Sequence, residues 1–412
     1  MPRSFLLLLA LLVSLGTSAS AQGPTDPAQP EPAEVYFLGY ETEPGMDYGG
    51  RTVASLQSGI SRLFAIPFKK TSVAPAWEFP LAAALLLVQH EVGGHGGRGR
   101  ELGLSPSYGF GVDFSGYTTT ERPPATNEEN LLLAAGGAEA DGIMARRILL
   151  EALEPEGADG AKIPLAFMAK LDLTLYVLGT SDPGDDDFAQ QYRDGNDTAF
   201  WAVARQAQRR GADPADVWNG VYALDPDDPL LKDIWDDAQI TAVWNALDPS
   251  LVAAVYAYFR DHVLGGRTRV HPPLLRAGGW GFTVGTRGAL GPQEVSRFLD
   301  LHAAAPWGVL TVYVRDLDSS VDRDWGFGVG AHGLRLGRAV RLGLQGDWWG
   351  EPAALERIAR EDDGWNLSAE IDALLGERWG LAAKVGSKSE GFFPGVALEE
   401  GVYAGFGVKA VF

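Results

Sequence analysis

The sequence contains no cysteine among its 412 residues. Disulfide bonds are therefore excluded, and so is a metal site built from thiolate ligands. Any metal has to be held by histidine, aspartate or glutamate. Histidine is scarce as well, with six residues in the whole chain, so two of them in one short stretch are informative.

Basic residues are outnumbered, with 34 lysines and arginines against 54 aspartates and glutamates and a net charge of -20. This balance argues against nucleic acid as a partner and against a polybasic membrane patch. Apolar runs at residues 5–15 and 79–88 are shorter than the roughly 20 residues that a membrane-spanning helix needs. We therefore expect no transmembrane helix after the N-terminal segment.

The N-terminal segment has the three parts of a secretory signal peptide. Arg3 gives a positive start, an apolar run follows, and the small residues Ala19, Ser20 and Ala21 end it. We predict that residues 1–21 are a signal peptide and that the mature protein is exported. Residues 22–34, QGPTDPAQPEPAE, are predicted to form a Pro-rich linker.

The hydrophobic pattern changes near residue 265. Apolar residues come in helical blocks between residues 35 and 265, and afterwards they alternate with polar residues and glycine. In AVRLGLQGDW, for example, Val340, Leu342 and Leu344 alternate with Arg341 and Gly343, which is the period of a strand. Strands of this kind are predicted near residues 280–287, 295–302, 307–316, 325–334, 339–348, 364–374, 379–387 and 402–412.

The arrangement of these eight segments is typical of bacterial outer-membrane proteins. Tight and longer connections alternate, tryptophans fall near the strand ends, and Phe412 closes the last strand with an aromatic residue, as expected at membrane interfaces. We therefore predict an α+β multidomain protein, with a mainly helical periplasmic domain at 35–265 and an eight-stranded antiparallel transmembrane β-barrel at 266–412. The implied location is the outer membrane of a diderm bacterium, with outer-membrane lipid as a partner. A soluble antiparallel barrel or sandwich is the alternative.

The stretch LLLVQHEVGGHGGRGRELG, residues 85–103, contains two histidines five positions apart. On a regular α-helix His90 and His95 would lie about 140° apart, so they could not reach one metal ion. A single π-turn, which closes residue i to i+5, would return them to one face. Gly93 and Gly94 lie between them, where the backbone is least restrained.

The side chain of Glu139 is predicted to face inward from a helix that starts after Thr126. Thr126 and Glu129 form a capping box, which fixes the start of this helix. Glu139 then lies on its apolar stripe, among small residues that permit close approach of another helix. A buried carboxylate needs a partner, because desolvating it alone costs several kcal/mol.

Two further arrangements of these residues remain open. On an undistorted helix Glu91 and His95 are four positions apart, so they could bind metal together with Glu139. Alternatively, Arg98 and Arg100 could neutralise Glu91 and Glu139 in a metal-free, glycine-mediated helix pair. The first arrangement would leave no obvious general base.

Residues 79–150 resemble the HExxH zinc metallopeptidases, gluzincins in particular, with one residue inserted in the motif. The resemblance implies a zincin-like helical domain in which His90, His95 and Glu139 hold one zinc ion and leave a fourth position open. It also implies that Glu91 is the catalytic general base. Residues that could assist nearby are Asp141, Tyr108, Arg98 and Arg100.

Two functions from different classes follow from these observations. The first is an outer-membrane-anchored periplasmic zinc metallopeptidase that acts on envelope proteins or peptides. The alternative is a non-enzymatic outer-membrane envelope protein whose helical domain binds a metal or a protein partner.

Overall fold

The structure, a computed structural model, describes residues 35–65, 71–225, 227–292, 295–318, 323–337, 339–350 and 363–411. The predicted signal peptide and linker lie outside the described residues. The helices fall between residues 46 and 263. The α-helices are α1 Met46–Ala65, α2 Pro75–Val88, α3 Gly96–Glu101, α4 Asn127–Leu153, α5 Ile163–Gly179, α6 Asp186–Arg193, α7 Asp197–Arg210, α8 Pro214–Trp218, α9 Pro229–Ala246 and α10 Pro249–Ala257.

Two π-helices also occur in the described ranges, at Gln89–His95 and Tyr258–Val263. The first one joins α2 to α3 without a break, and the second continues α10. None of the helices that the structure describes combines the length and the apolar composition needed to cross a membrane.

Helix α4 begins where the sequence predicts. The Thr126 side chain accepts a hydrogen bond from the Glu129 backbone N–H at 3.1 Å. The Glu129 carboxylate accepts one from the Ala125 N–H at 2.7 Å, so these side chains satisfy two backbone donors at the helix start. The capping box is therefore confirmed, with its return bond displaced by one residue to Ala125.

The strands form one large antiparallel sheet and two small pairs. They are β1 Val35–Glu41, β2 Pro106–Phe110, β3 Gly116–Thr120, β4 Ala158–Asp159, β5 Arg269–Val270, β6 Leu275–Ala277, β7 Trp280–Leu290, β8 Val295–Ala305, β9 Gly308–Asp318, β10 Arg323–Leu336, β11 Val340–Trp349, β12 Gly364–Leu375, β13 Trp379–Lys388 and β14 Gly401–Val411. β2 pairs with β3, and β4 pairs with β5. The eight predicted segments are all strands, β7 to β14.

The predicted fold class, a helical domain followed by an eight-stranded transmembrane barrel, is wrong. Within the described residues the large sheet has ten strands, in the open order β1-β14-β13-β12-β11-β10-β9-β8-β7-β6. β1, which comes before all the helices, pairs with β14, while β6 pairs with β7 at the other edge. Alternation identifies strands one at a time and carries no information about which strand pairs with the last one, and the sequence interpretation therefore missed both edges.

The polar face of this sheet is the buried one. On β9, Thr311 and Arg315 are almost fully buried, whereas Val312 and Val314 are more than half exposed. The helices cover the polar face through ion pairs that join the two parts of the chain, as between Arg147 of α4 and Glu370 of β12 at 2.9 Å. The sheet is therefore inverted relative to that of a typical soluble protein, whose apolar face is buried.

The other face exposes a continuous set of large apolar side chains. These include Val284, Leu299, Leu301, Val312, Val314, Phe327, Val329, Leu344, Leu367, Ile371, Val385, Val402, Phe406 and Val408. Tryptophans mark both ends of the strands. Trp280 lies 5.3 Å from Trp307 at one end, and Trp325 lies 5.0 Å from Trp348 at the other, measured between ring centroids.

Candidate metal centre

The first π-helix brings the two histidines of the variant motif together. Because the backbone closes residue i to i+5 there, His90 and His95 lie on one side of the helix, with ring centroids 4.8 Å apart. Of the arrangements left open from the sequence, the structure contains the π-turn. Gly94 permits it to pack on α4, since a Cβ at this position would lie 2.5 Å from the Gly136 carbonyl oxygen.

The side chain between the two imidazoles is Asp197, the first residue of α7. Its Oδ2 lies 3.0 Å from His90 Nε2 and 3.2 Å from His95 Nε2. His90, His95 and Asp197 form a group of buried or half-buried ligands that could hold a metal ion. We call these three residues the metal site.

Both imidazoles are fixed from behind through their other ring nitrogen. His95 Nδ1 donates to the Leu133 carbonyl oxygen at 2.5 Å. His90 Nδ1 faces Asp141 Oδ2 at 3.0 Å and Asp172 Oδ2 at 3.2 Å. A proton on each Nδ1 leaves the lone pair of the neutral ring on Nε2, aimed at the space beside Asp197. Metal-binding histidines are usually oriented in this way.

The carboxylates around the histidines perturb each other strongly. Burial opposes a charge on His90, but Asp172, Asp141 and Asp197 outweigh it and hold its pKa well above the ordinary value. Burial and the neighbouring Asp172 raise the pKa of Asp141. Burial alone would raise the pKa of Asp197, yet His95 and His90 hold it below its usual range. Three carboxylates around two imidazoles give the site an excess of acidic groups, which favours a cation.

Asp141 and Asp172 also form a second possible ligand group with His90. This group uses the opposite ring nitrogen, Nδ1, and contains one imidazole. Both carboxylates are buried. We interpret Asp141 and Asp172 as partners that orient His90, because the two Nε2 atoms converge at the metal site instead.

Glu91 lies next to the metal site and belongs to neither ligand group. It is buried, and its Oε2 accepts a hydrogen bond from the Thr118 hydroxyl of β3 at 2.7 Å. Burial opposes a charge on His95, but Asp197, with a smaller contribution from Glu91, outweighs it and raises the pKa of His95. The β2–β3 hairpin therefore positions a carboxylate beside the ligands without adding it to them.

Glu139 faces inward, as predicted, but its carboxylate contacts other groups. Arg98 Nε donates to its Oε2 at 3.0 Å, and the Gly395 N–H donates to its Oε1 at 2.6 Å. The ligand groups found among the described residues do not include it. The structure thus places Asp197 beside the two histidines, where the sequence interpretation placed Glu139, and Arg98 neutralises Glu139.

Of the other residues proposed to assist the site, one contacts a histidine and two contact each other instead. Asp141 contacts His90, whereas Arg100 donates to Glu43 Oε1 and to the Tyr108 hydroxyl, both at 2.8 Å. Tyr176, which the sequence interpretation did not single out, stacks on the His90 ring at 5.3 Å.

The metal site is enclosed on the histidine side and more open at Asp197. About 4% of the His90 side chain is exposed, compared with 24% for Asp197. An accessible side is what distinguishes catalytic from structural metal sites, because substrate and water need a free coordination position.

Comparisons with known proteins found no counterpart. No protein family, no curated protein and no solved structure matches the chain. The function is therefore argued from the residues and their geometry.

Proposed function

We propose that this chain is a zinc-dependent peptidase in which His90, His95 and Asp197 hold the metal. The observation that carries the proposal is the convergence of two Nε2 atoms on one carboxylate oxygen, with both Nδ1 atoms already bonded to oxygen acceptors. Two imidazoles and one carboxylate, with no thiolate, are a ligand set that catalytic zinc takes.

The chain's own residues supply the remaining chemistry. When bound, zinc provides Lewis acidity toward a peptide carbonyl group. Glu91, held by Thr118, takes a proton from the attacking water and passes it to the leaving amine. The HE pair of the motif places this base next to the first metal ligand in sequence, as in the HExxH peptidases that the stretch resembles.

We also infer that lipid covers the apolar face of the large sheet, so that the peptidase acts at the outer membrane on envelope proteins or peptides. The inference is supported by exposed apolar side chains along the strands and by tryptophans near both strand ends. Aromatic side chains favour the two interfaces of a bilayer, and aliphatic ones favour its interior. Quenching of tryptophan fluorescence by brominated phospholipids in vesicles tests this. Strong quenching is expected, and its absence would contradict the inference.

The test of catalysis is Glu91→Gln, which keeps the size and hydrogen-bonding capacity of the side chain but removes the base. We expect hydrolysis of a mixed fluorogenic peptide library to fall by about 10²- to 10⁴-fold, with zinc content unchanged. Glu121→Gln, an exposed position, is the matched control and keeps full activity.

Two results would overturn the peptidase proposal. One is a Glu91→Gln variant that is as active as the wild type. The other is a wild type that carries one zinc ion per chain and hydrolyses no peptide of a diverse library. The second result would favour the non-enzymatic, metal-binding alternative.

A further inference from the structure

A polar cavity, separate from the metal site, lies between helix α4 and the buried face of the large sheet. Its volume is about 170 Å³, which is roughly that of five or six molecules in liquid water. Arg146 of α4, His332 of β10 and Gln345 of β11 are among the residues that line it. We call it the α4 cavity. The histidines and Asp197 of the metal site are not part of its lining.

The basic side chains around this cavity, apart from Arg146, each form an ion pair. The pairs are Arg147–Glu370 at 2.9 Å, Arg287–Asp300 at 2.7 Å, Lys170–Asp248 at 3.3 Å and Lys384–Asp47 at 3.0 Å. In each pair the two charges neutralise each other. These side chains are therefore not free to bind a charged ligand.

Arg146 differs from these neighbours. Its Nε and Nη2 are inaccessible to solvent and have no hydrogen-bond partner among the described residues. The ring of Tyr313 lies beside it, with its centroid 6.0 Å from the guanidinium carbon. Burial and the nearby charge of Arg287 lower the pKa of Arg146, and the charges of Asp300 and Asp347 oppose this shift only in part; an arginine side chain nevertheless remains charged in proteins. Buried N–H groups without an acceptor are costly, and a bound carboxylate would supply the acceptors that these two nitrogens lack.

The opposite side of the lining offers acceptors. Gln345 Oε1 is buried and has no donor, and His332 Nε2 is buried and unpartnered among the described residues. A Cβ at Gly330 would lie 2.4 Å from Gln345 Oε1 and 2.7 Å from His332 Nε2, so the glycine leaves room for both.

Asp347 adds a carboxylate to this acceptor side. Its oxygens accept hydrogen bonds from neutral groups, including Asn366 Nδ2 at 2.8 Å and the Tyr313 hydroxyl. It forms no ion pair among the described residues, unlike the acidic side chains in the pairs above. The cavity is therefore lined by a guanidinium with two nitrogens that lack acceptors and by a carboxylate, Asp347, that forms no salt bridge among the described residues.

We propose that the α4 cavity binds a small zwitterion of the α-amino-acid class. The ligand's carboxylate contacts Arg146 through two parallel N–H···O bonds, a geometry that guanidinium groups favour. Its ammonium group donates to Gln345 Oε1 and faces Asp347. The cavity volume admits a molecule of about half a dozen non-hydrogen atoms, which is the size of alanine. This proposal does not depend on the peptidase function.

Equilibrium dialysis of the purified protein with radiolabelled alanine tests the proposal. We expect one alanine per chain for the wild type, binding at least tenfold weaker in Arg146→Met, and unchanged binding in Arg276→Met. Arg276 is exposed on β6, so its substitution removes the same charge outside the cavity. Gln345→Leu, which keeps the guanidinium, is a second variant and is also expected to weaken binding.

The outcomes that overturn the proposal are equally specific. They are no saturable binding of alanine to the wild type, or equal binding by Arg146→Met. Acetate that competes as well as alanine would overturn the amino-acid class, because acetate lacks the ammonium group that Gln345 and Asp347 are proposed to recognise.

Discussion

The two π-helices of the described chain use the same backbone device with different results. In Gln89–His95 the device brings two histidines to the shared carboxylate oxygen of Asp197. In Tyr258–Val263 it presents one histidine and one tyrosine to the carboxylate of Glu78, with His262 Nε2 at 3.1 Å and the Tyr258 hydroxyl at 2.7 Å. We call the second group the Glu78 cluster.

The difference between the two groups lies in the balance of donors and acceptors. In the Glu78 cluster one carboxylate meets two side-chain donors, and Ser61 supplies a third at 2.8 Å. At the metal site, Asp197 lies between the two imidazoles, and Asp141 and Asp172 contact His90 from its other side. The first arrangement satisfies itself through hydrogen bonds, whereas the second places three carboxylates around two imidazoles and could hold a cation. A π-helix alone therefore does not indicate a metal site.

The largest expected effect is a difference in zinc content between a variant of the metal site and a variant of the Glu78 cluster. His95→Ala removes one of two imidazole ligands, so we expect the purified variant to lose the single zinc ion of the wild type. His262→Ala changes the Glu78 cluster, and we expect it to keep the zinc. Elemental analysis by mass spectrometry measures both. Equal zinc content in the two variants would break the comparison.

The next effect tests the identity of the carboxylate ligand. Asp197→Asn replaces an anionic ligand with a weak neutral one, and we expect zinc affinity to fall by more than about 100-fold, beyond the range for residues that only orient ligands. Asp194→Asn, at an exposed position shortly before α7, is the control. Competition with a chromophoric chelator measures the affinity. Unchanged affinity in Asp197→Asn would return Glu139 to consideration.

A smaller effect tests the close packing that the first π-helix needs. Gly94→Ala places a methyl group 2.5 Å from the Gly136 carbonyl oxygen, so we expect about 1–3 kcal/mol of destabilisation, together with weakened zinc binding. Gly142→Ala on α4 meets no atom within 4 Å and should change stability by about 1 kcal/mol or less, in the stabilising direction. Denaturant unfolding distinguishes them, and equal stability of the two variants contradicts the packing argument.

The smallest effect concerns pH and the Glu78 cluster. Burial opposes the charge of His262, but hydrogen bonding to Glu78 holds its pKa above the ordinary value. A histidine whose folded-state pKa is raised contributes its full stability below about pH 6.5 and loses it as pH rises through the folded-state pKa. We expect wild type to exceed His262→Gln by about 1–2 kcal/mol in unfolding free energy below pH 6.5, and by less at higher pH.

The control for this pH dependence is His271→Gln, because His271 is exposed. Its difference from wild type should stay small across the same range. A His262→Gln difference that grows with rising pH would contradict the assigned direction of the pKa shift.

Local features of the fold and site were predictable from the sequence, and distant partners were not. Period-two alternation identified β7 to β14, and the five-residue spacing of His90 and His95 indicated a π-turn as one of the possible arrangements, because both signals lie within a few residues. The pairing of β1 with β14 joins residues at opposite ends of the chain, and no local pattern encodes it.

The proposed third ligand, Asp197, was missed for the same reason. Asp197 lies about a hundred residues after His95, in an acidic stretch whose several aspartates look alike in sequence. Its position directly after the cap Asn196, at the start of α7, was the available signal. For Glu139 the inward direction was correct, but a buried arginine and a metal ion neutralise a carboxylate equally well, so sequence could not decide in favour of Arg98.

The most direct test of the metal site is zinc-edge X-ray absorption on the zinc-loaded protein. We predict a first shell of nitrogen and oxygen atoms at about 2.0–2.2 Å, with the scattering signature of two imidazoles in the wild type. A wild-type protein that binds no zinc, or whose zinc shows no imidazole ligand, would contradict the assignment of His90, His95 and Asp197 as its metal centre.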